Sequence, residues 1–263
     1  MIRLYAAAMP GSPPATGVRR SLLLIAAALA LAWPARGSPA PPAVAAGDDS
    51  PPARQSISVR SNRRPGKPTG SELTISWRNP ADADAQPPKA RRFTIVLPRG
   101  SRVDTTVPQR CEASDNELMT EGADACPRGS VVGHGELVTD SGPSPFPRYT
   151  ENALTVFNGE GEQIVLAQSD QPPTRVVGHT AIRGRTFVSP VPSFPPGVPP
   201  EQSLVAFKRL HLVLNRVVRE GVSYARTPHS CPPSRRWRTV LKVAYVDGSR
   251  GRTVARSPCR RRR

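Results

Sequence analysis

The chain has 263 residues, of which 32 are proline and only 5% are aromatic, and its formal net charge is +17. No apolar run reaches the roughly 20 residues that a membrane-spanning helix needs, which excludes a protein with several such helices. The charge is uneven, because residues 201–263 carry 16 basic and 3 acidic side chains, whereas residues 38–200 carry 17 of each. Such a local excess has two interpretations: a region that contacts a polyanion, or a solvated basic face with a frayed Arg260–Arg263 tail.

An export signal is predicted at residues 1–37. Two arginines precede the apolar run Leu22–Trp33, and Pro34 follows it, with the small residues Ala35 and Gly37 at the two positions that a signal peptidase recognises. This order is typical of a secretory signal peptide, with cleavage expected at Gly37. The apolar run is short for a transmembrane helix, so an uncleaved signal anchor is the alternative interpretation. The translation start is open between Met1 and Met9. The sequence thus predicts a secreted or envelope-associated protein.

The exported part of the chain is divided by composition. Residues 38–54 are rich in proline and alanine, which predicts a disordered spacer. Residues 55–259 are predicted to form a β domain, and residues 260–263 form a basic tail. The proline-rich stretch 190–200 is interpreted either as a connector across the top of a sandwich or as a boundary between two lobes.

Alternating apolar side chains predict the first strand at Glu72–Arg78, and a second strand is predicted at Phe93–Leu97. Ser114 and Glu117 have the spacing of a capping box, so a short helix is expected inside the Cys111–Cys126 segment. Asp247-Gly248 later in the chain is a strong hairpin signal. Further strands are predicted at Ser130–Thr139, Ala153–Phe157, Gln163–Gln168, two within Arg175–Val188, Leu204–Val218, Trp237–Val246 and Arg252–Arg256.

Four cysteines behind an export signal predict a disulfide framework. Three pairings are open. Local pairing of Cys111 with Cys126, and of Cys231 with Cys259, fits best because each pair then brackets one supersecondary unit. Closing a loop of about 15 residues contributes roughly 3 kcal/mol. No Cys-x-x-Cys and no histidine pair at ligand spacing is present, so the sequence predicts no metal site.

Two blocks of the sequence resemble exported, cysteine-paired, β-rich proteins of high-GC Gram-positive bacteria. The first block comprises Leu97-Pro98-Arg99-Gly100, Cys111-Glu112-Ala113-Ser114-Asp115, Cys126-Pro127 and Ser130-Val131-Val132-Gly133-His134-Gly135. The second comprises Thr227-Pro228, Cys231-Pro232, Trp237, Tyr245, Asp247-Gly248 and Pro258-Cys259. Together they span most of residues 93–259. The resemblance implies export, a β-rich fold and disulfides, and it implies no chemistry, because that family has no assigned activity.

Two histidines are candidate catalytic residues. The Gly-x-Ser-x-Gly motif of many serine hydrolases is not present. His134 with Asp140 and a serine is a conceivable triad, and His179 is a second candidate. A histidine between two glycines, as at His134, is more typical of a tight turn or a bulge, so catalysis is not predicted there.

Two carboxylate pairs are candidate glycosidase residues, and two tryptophans are candidate platforms for binding a sugar. Asp115/Glu117 and Glu160/Glu162 are carboxylate pairs, and a pair of carboxylates is the residue set that most glycosidases use. The first pair is better interpreted as helix-start acids, and the second as exposed residues of a hairpin turn. Trp77 and Trp237 occupy strand patterns, which favours core packing over a ligand platform.

The sequence therefore predicts an all-β protein: an antiparallel β-sandwich with one short helix inside the Cys111–Cys126 loop and two local disulfides. The predicted function is that of an exported, non-catalytic structural or binding module without cofactor or metal. An anionic cell-wall polymer, acidic polysaccharide and extracellular DNA are open as partners, and no specific protein partner is indicated. The alternatives are a secreted polysaccharide-active hydrolase and a signal-anchored surface domain. The residues predicted to contact a polyanion are Arg235, Arg236, Arg238, Arg260, Arg261, Arg262 and Arg263.

Overall fold

A computed structural model describes residues 54–143 and 147–260. The expected signal peptide 1–37, nearly all of the expected spacer 38–54 and the tail residues Arg261–Arg263 lie outside the described residues. Within the described ranges the chain is all β, apart from one α-helix and three short 3₁₀ helices. The predicted fold class is confirmed. None of these helices has the length and apolar character needed to cross a bilayer.

Strands make up most of the secondary structure in the described ranges. They are β1 (Arg54–Ser61), β2 (Ser71–Arg78), β3 (Ala90–Val96), β4 (Arg102–Val103), β5 (Val131–Asp140), β6 (Tyr149–Asn158), β7 (Glu162–Asp170), β8 (Pro173–Arg183), β9 (Thr186–Pro190), β10 (Ala206–Leu214), β11 (Val218–Arg219), β12 (Val222–Ser223), β13 (Ala225–Arg226), β14 (Arg236–Tyr245) and β15 (Arg250–Pro258). The helical segments are α1 (Asp115–Glu121) and the 3₁₀ helices Gly122–Ala125, Arg128–Ser130 and Pro200–Gln202.

Eleven of the described strands form one antiparallel sheet in the order β1-β2-β10-β5-β6-β7-β8-β9-β3-β14-β15. Two small ladders, β11–β12 and β13–β4, lie beside it. The edge strands β1 and β15 come together without a ladder, and Thr253 Oγ1 of β15 donates to Gln55 O of β1 at 3.3 Å. Tyr245 Oη, at the end of β14, also donates to Gln55 Oε1 at 3.2 Å. The sheet is therefore nearly closed, and the two layers of the expected sandwich are opposite parts of this one sheet.

Most strands lie where alternation predicted them, and the hairpin at Asp247-Gly248 joins β14 to β15. The run Leu204–Val218 is a strand over Ala206–Leu214, as predicted. Strand β1 was not predicted. Its apolar residues Ile57 and Val59 are separated by Ser58 and are only half-buried, so its apolar pattern is weak.

The loop between Cys111 and Cys126 carries α1 and is closed by their disulfide, as predicted. The capping box forms: Ser114 N donates to Glu117 Oε2 at 2.7 Å, and Glu117 N donates to Ser114 Oγ at 3.3 Å. Leu118 of α1 is fully buried. It packs with the disulfide against outward-facing apolar side chains of β6 and β7, namely Phe157, Ile164 and Leu166.

An aromatic cluster fills part of the interior. The ring centroid of Trp77 lies 5.2 Å from that of Phe93 and 6.1 Å from that of Phe207, and Phe93 and Phe207 stack at 5.5 Å. Leu241 and Val243 of β14 complete this core. Trp77 is only 1% exposed, which agrees with core packing. Trp237 is also buried and packs on the Cys231–Cys259 disulfide.

Candidate functional sites: a cationic strand face and an apolar cavity

The outer face of the β14–β15 hairpin carries six exposed basic side chains. Their alternation with buried residues follows from the period of two in a strand, which turns every second side chain outward. We call this set the cationic face. Its members are Arg236, Arg238, Lys242, Arg250, Arg252 and Arg256.

Like charges stand directly opposite one another on this face. Arg238 is the cross-strand partner of Arg256, and Lys242 is the partner of Arg252. Directly opposed like charges destabilise an antiparallel pair. Among the described residues, no carboxylate lies within 4.0 Å of any member of the cationic face. The face therefore carries an uncompensated positive potential, and a bound anion would relieve the repulsion.

The structure separates the residues that were predicted to bind a polyanion. Arg236 and Arg238 belong to the cationic face. Arg235 lies in the turn before β14 with a positive φ of 51°, and Arg260 follows β15, where its backbone N–H donates to Arg63 O at 2.8 Å. Arg261–Arg263 lie outside the described residues.

Four members of the cationic face were missed as site residues by the sequence prediction: Lys242, Arg250, Arg252 and Arg256. The signal for them was present in the sequence. Once Asp247-Gly248 is taken as a hairpin turn, alternation along its two strands turns these side chains to the same face as Arg238.

His134 and Asp140, the candidates for a triad, do not come together. They lie six residues apart on β5, which is roughly 20 Å of extended strand. His134 is exposed, whereas Asp140 is buried and accepts from Gly142 N at 2.8 Å. Within the described ranges, no cluster of three His, Cys, Asp or Glu side chains has the arrangement of a metal site.

His179 joins the helix to the sheet. Its Nε2 lies 2.9 Å from Asp115 Oδ1 on α1, and its Nδ1 lies 3.2 Å from Glu162 Oε2 on β7. Partial burial alone would lower the pKa of His179, but the hydrogen bond to Asp115 and the charges of both carboxylates outweigh it and raise the pKa above its ordinary value. The candidate carboxylate pairs are thus divided among a helix cap, this histidine and, for Glu160, an ion pair with Arg110.

We expect the His179 contacts to make stability depend on pH. A pKa that is higher in the folded than in the unfolded protein stabilises the fold fully below the ordinary histidine pKa, and this contribution is lost as pH rises through the folded value. The free energy of unfolding of the unaltered protein should therefore exceed that of the His179→Gln variant by more at pH 5.5 than at pH 8.5. Urea unfolding of both proteins at the two pH values measures this. An equal difference at both would contradict it.

A cavity of about 520 Å³ lies inside the nearly closed sheet. Inward-facing apolar side chains of six strands line it: Leu73, Ile95, Leu137, Leu154, Val165 and Leu212. Segments at the two ends of the sheet complete the lining. One end is covered by the proline-rich segment, which we define as residues 191–205, and the other by β4 and β13.

One polar pair lies in the wall of the cavity near the β4–β13 end. Gln163 Nε2 donates to Tyr224 Oη at 2.9 Å, and both side chains are buried. Burial raises the pKa of Tyr224 to about 12, so its hydroxyl keeps its proton at neutral pH. Tyr224 packs with Val132 and Val156.

The size of the cavity distinguishes it from an ordinary packing defect. Protein interiors are close-packed, with few voids larger than a water molecule. A space of about 520 Å³ lined mainly by apolar side chains is far larger than such a void, and it lies within the size range of small-molecule sites.

No family model matches the chain, and no curated protein or solved structure shows significant similarity to it.

Proposed function

We propose that the protein is an exported, non-catalytic binding module of the cell envelope, and that its cationic face holds it on an anionic cell-wall polymer. The observation that carries this proposal is the pairing of Arg238 with Arg256, and of Lys242 with Arg252, in the absence of any described carboxylate partner. Such an arrangement costs stability when it stands alone, and it is favourable against a row of negative charges.

Arginine-rich composition fits the chemistry of the proposed partner. The guanidinium group is planar and forms bidentate hydrogen bonds with phosphate and carboxylate groups. Five of the six members of the cationic face are arginine. The face is also rigid, because a ladder of nine residue pairs joins β14 to β15. A rigid grid of cations suits a repeating anionic polymer better than it suits a single small anion.

Export is supported by the two disulfides, Cys111–Cys126 and Cys231–Cys259, since such bonds persist in oxidising compartments. The predicted signal peptide adds to this from the sequence alone. Secretion and attachment to the envelope are thus parts of one proposal: the chain leaves the cell and is then retained by charge.

The proposal is tested by sedimenting the mature protein, from Ser38 onward, with isolated bacterial cell walls across a salt series. We expect binding that falls steeply with salt, because association releases counterions from the polymer. Replacing Arg238 and Arg256 with glutamine should reduce the slope of log K against log salt by roughly 1.4, at about 0.7 per contact with a flexible polyanion.

The matched control replaces Arg183 and Arg209, which are exposed and lie away from the cationic face, with glutamine. This control removes the same net charge as the first double variant but leaves the cationic face intact. The slope of log K against log salt should therefore stay nearly unchanged. A chain ending at Cys259 measures what Arg260–Arg263 add. Equal losses in both double variants, or retention on walls stripped of their anionic polymer, would contradict the proposal. Stronger binding to soluble DNA or acidic polysaccharide would favour those partners instead.

A further inference from the structure

We infer that the cavity inside the sheet binds one long aliphatic chain carrying a single small, uncharged polar group. This site is separate from the cationic face. The side chains of that face point outward from β14 and β15, whereas the cavity lies on the inner side of the sheet, mainly against β2, β3 and β5–β10. Binding at either site can therefore be lost without loss of the other.

The lining excludes a charged ligand group deep in the cavity. Among the described residues, the arginine and histidine side chains that border it are those of Arg102, His179 and Arg226, and all three are exposed. The inward-facing strand residues are apolar or carry only hydroxyl and amide groups. A charge buried among them would have no ion partner, and its desolvation would oppose binding. The enclosed part of the ligand is therefore uncharged.

The cavity is long rather than compact. Its lining on β10 runs from Phe207 to Leu214, which is roughly 23 Å of strand. The same cavity touches Phe194 near one end of the sheet and Ala225 near the other. Its volume is within the range of small-molecule sites. An extended hydrocarbon chain fits this length and lining.

The polar pair at the β4–β13 end provides the recognition of a head group. The hydrogen bond from Gln163 to Tyr224 leaves the Tyr224 hydroxyl proton as a donor and Gln163 Oε1 as an acceptor, and neither is bonded to another described residue. One free donor beside one free acceptor matches a hydroxyl group, which both accepts and donates. Such a group on the ligand would satisfy both atoms at once.

The opposite end provides the access route. Pro192, Pro195 and Leu204 of the proline-rich segment line the cavity and are also exposed, with Leu204 46% exposed. Prolines cannot donate backbone hydrogen bonds, and the segment is held largely by bonds within itself, such as Leu204 N to Phe194 O at 2.8 Å. The ligand thus lies with its polar group at Tyr224 and its tail toward the proline-rich segment.

The test uses the mature protein, the neutral fluorophore N-phenyl-1-naphthylamine as reporter, and 1-hexadecanol as the competing ligand. We expect the reporter to brighten on binding and 1-hexadecanol to displace it. Native mass spectrometry should show one 1-hexadecanol per chain. This measurement on the unaltered protein decides the inference even where a variant fails to fold.

Two variants with the same substitution separate the cavity from the outer surface. Ala167 lines the cavity on β7, so Ala167→Phe should weaken 1-hexadecanol binding by roughly tenfold or more, because the added ring occupies ligand space. Ala153 is exposed on the neighbouring β6, and Ala153→Phe should bind as the unaltered protein does. Gly178→Leu is a second filling variant, since a Cβ there points to Pro192 at 3.7 Å.

The head-group contact has its own test. Tyr224→Phe removes the hydroxyl and should weaken 1-hexadecanol binding roughly fivefold, while binding of hexadecane, which has no polar group, is unchanged. Equal weakening of both ligands would overturn the polar contact. Failure of 1-hexadecanol to bind the unaltered protein, or equal binding by both alanine-to-phenylalanine variants, would overturn the site itself. Cell-wall sedimentation of Ala167→Phe should remain normal, which keeps this result distinct from the proposed function.

Discussion

Replacing Gly135 with alanine should lower the free energy of unfolding by about 3 kcal/mol, near the upper end of the usual cost of overpacking. Gly135 lies within β5, opposite Leu154 of β6 and Leu212 of β10. A Cβ built there falls on the backbone carbonyl oxygen of His211, far inside van der Waals contact, and 3.0 Å from Leu212 Cα. Backbone atoms cannot rotate away, so β5 and β10 would have to separate.

A second glycine in a strand interior is the matched control. A Cβ at Gly178 in β8 meets only Pro192, at 3.7 Å and 3.8 Å, which is ordinary contact. Neither glycine has a positive φ, so Gly178→Ala introduces no backbone strain. It should be neutral or stabilise by about 0.4–1 kcal/mol, because alanine restricts the unfolded chain. Urea unfolding followed by circular dichroism measures both variants. Equal effects would contradict the close approach of β5 and β10.

This close approach was foreseeable, in part, from sequence. Glycines that interrupt the strand pattern at residues 130–139 predict a bulge or a close backbone contact. The structure has both: the register between β5 and β6 shifts between Val131 and Gly133, and Gly135 lies against β10. The partner strand was not foreseeable. It lies some 75 residues later in the chain, and pairing at that distance leaves no local mark in the sequence.

The strands themselves were predicted where alternation was strong, as at Glu72–Arg78, and missed at β1, whose apolar side chains are only half-buried. Closure of the sheet depends on contacts between its two edge strands, β1 and β15, such as the hydrogen bond from Thr253 to Gln55. Periodicity identifies which side chains face inward. It does not say whether those side chains meet in a packed core or surround a cavity.

Both outcomes occur in this molecule, in different parts of the same interior. Inward-facing Leu241 and Val243 of β14 pack with Trp77, Phe93 and Phe207 into a solid core. The large aromatic side chains that fill this part are absent from the inward positions of β5, β6 and β7, where residues such as Leu137, Leu154 and Val165 leave the cavity open. The part of the cationic hairpin around Lys242 is thus backed by solid packing, whereas Trp237, Thr239 and Ser257, behind Arg238 and Arg256, border the cavity.

Removing the Cys111–Cys126 disulfide by replacing both cysteines with alanine should lower the free energy of unfolding by roughly 3 kcal/mol. The bond closes a loop with a sequence separation of 15 residues, so its loss frees the unfolded chain. It also loosens the loop that holds α1 against Phe157, Ile164 and Leu166. Trypsin should then cleave faster after Arg128, which follows the loop. Urea unfolding and timed digestion measure the two effects.

The second disulfide is the control, because its removal also lowers global stability but it holds the β14–β15 hairpin rather than the helical loop. Cys231–Cys259 has a sequence separation of 28 residues, so its removal should cost about 3.5 kcal/mol in the chain-entropy model. It ties the chain before β14 to the end of β15, where the ladder and the bond from Cys259 N to Arg235 O at 2.8 Å already hold the hairpin. Its loss should therefore lower global stability while cleavage after Arg128 stays slow in the folded protein. Faster cleavage in both variants would show that the helical loop depends on global stability rather than on its own disulfide.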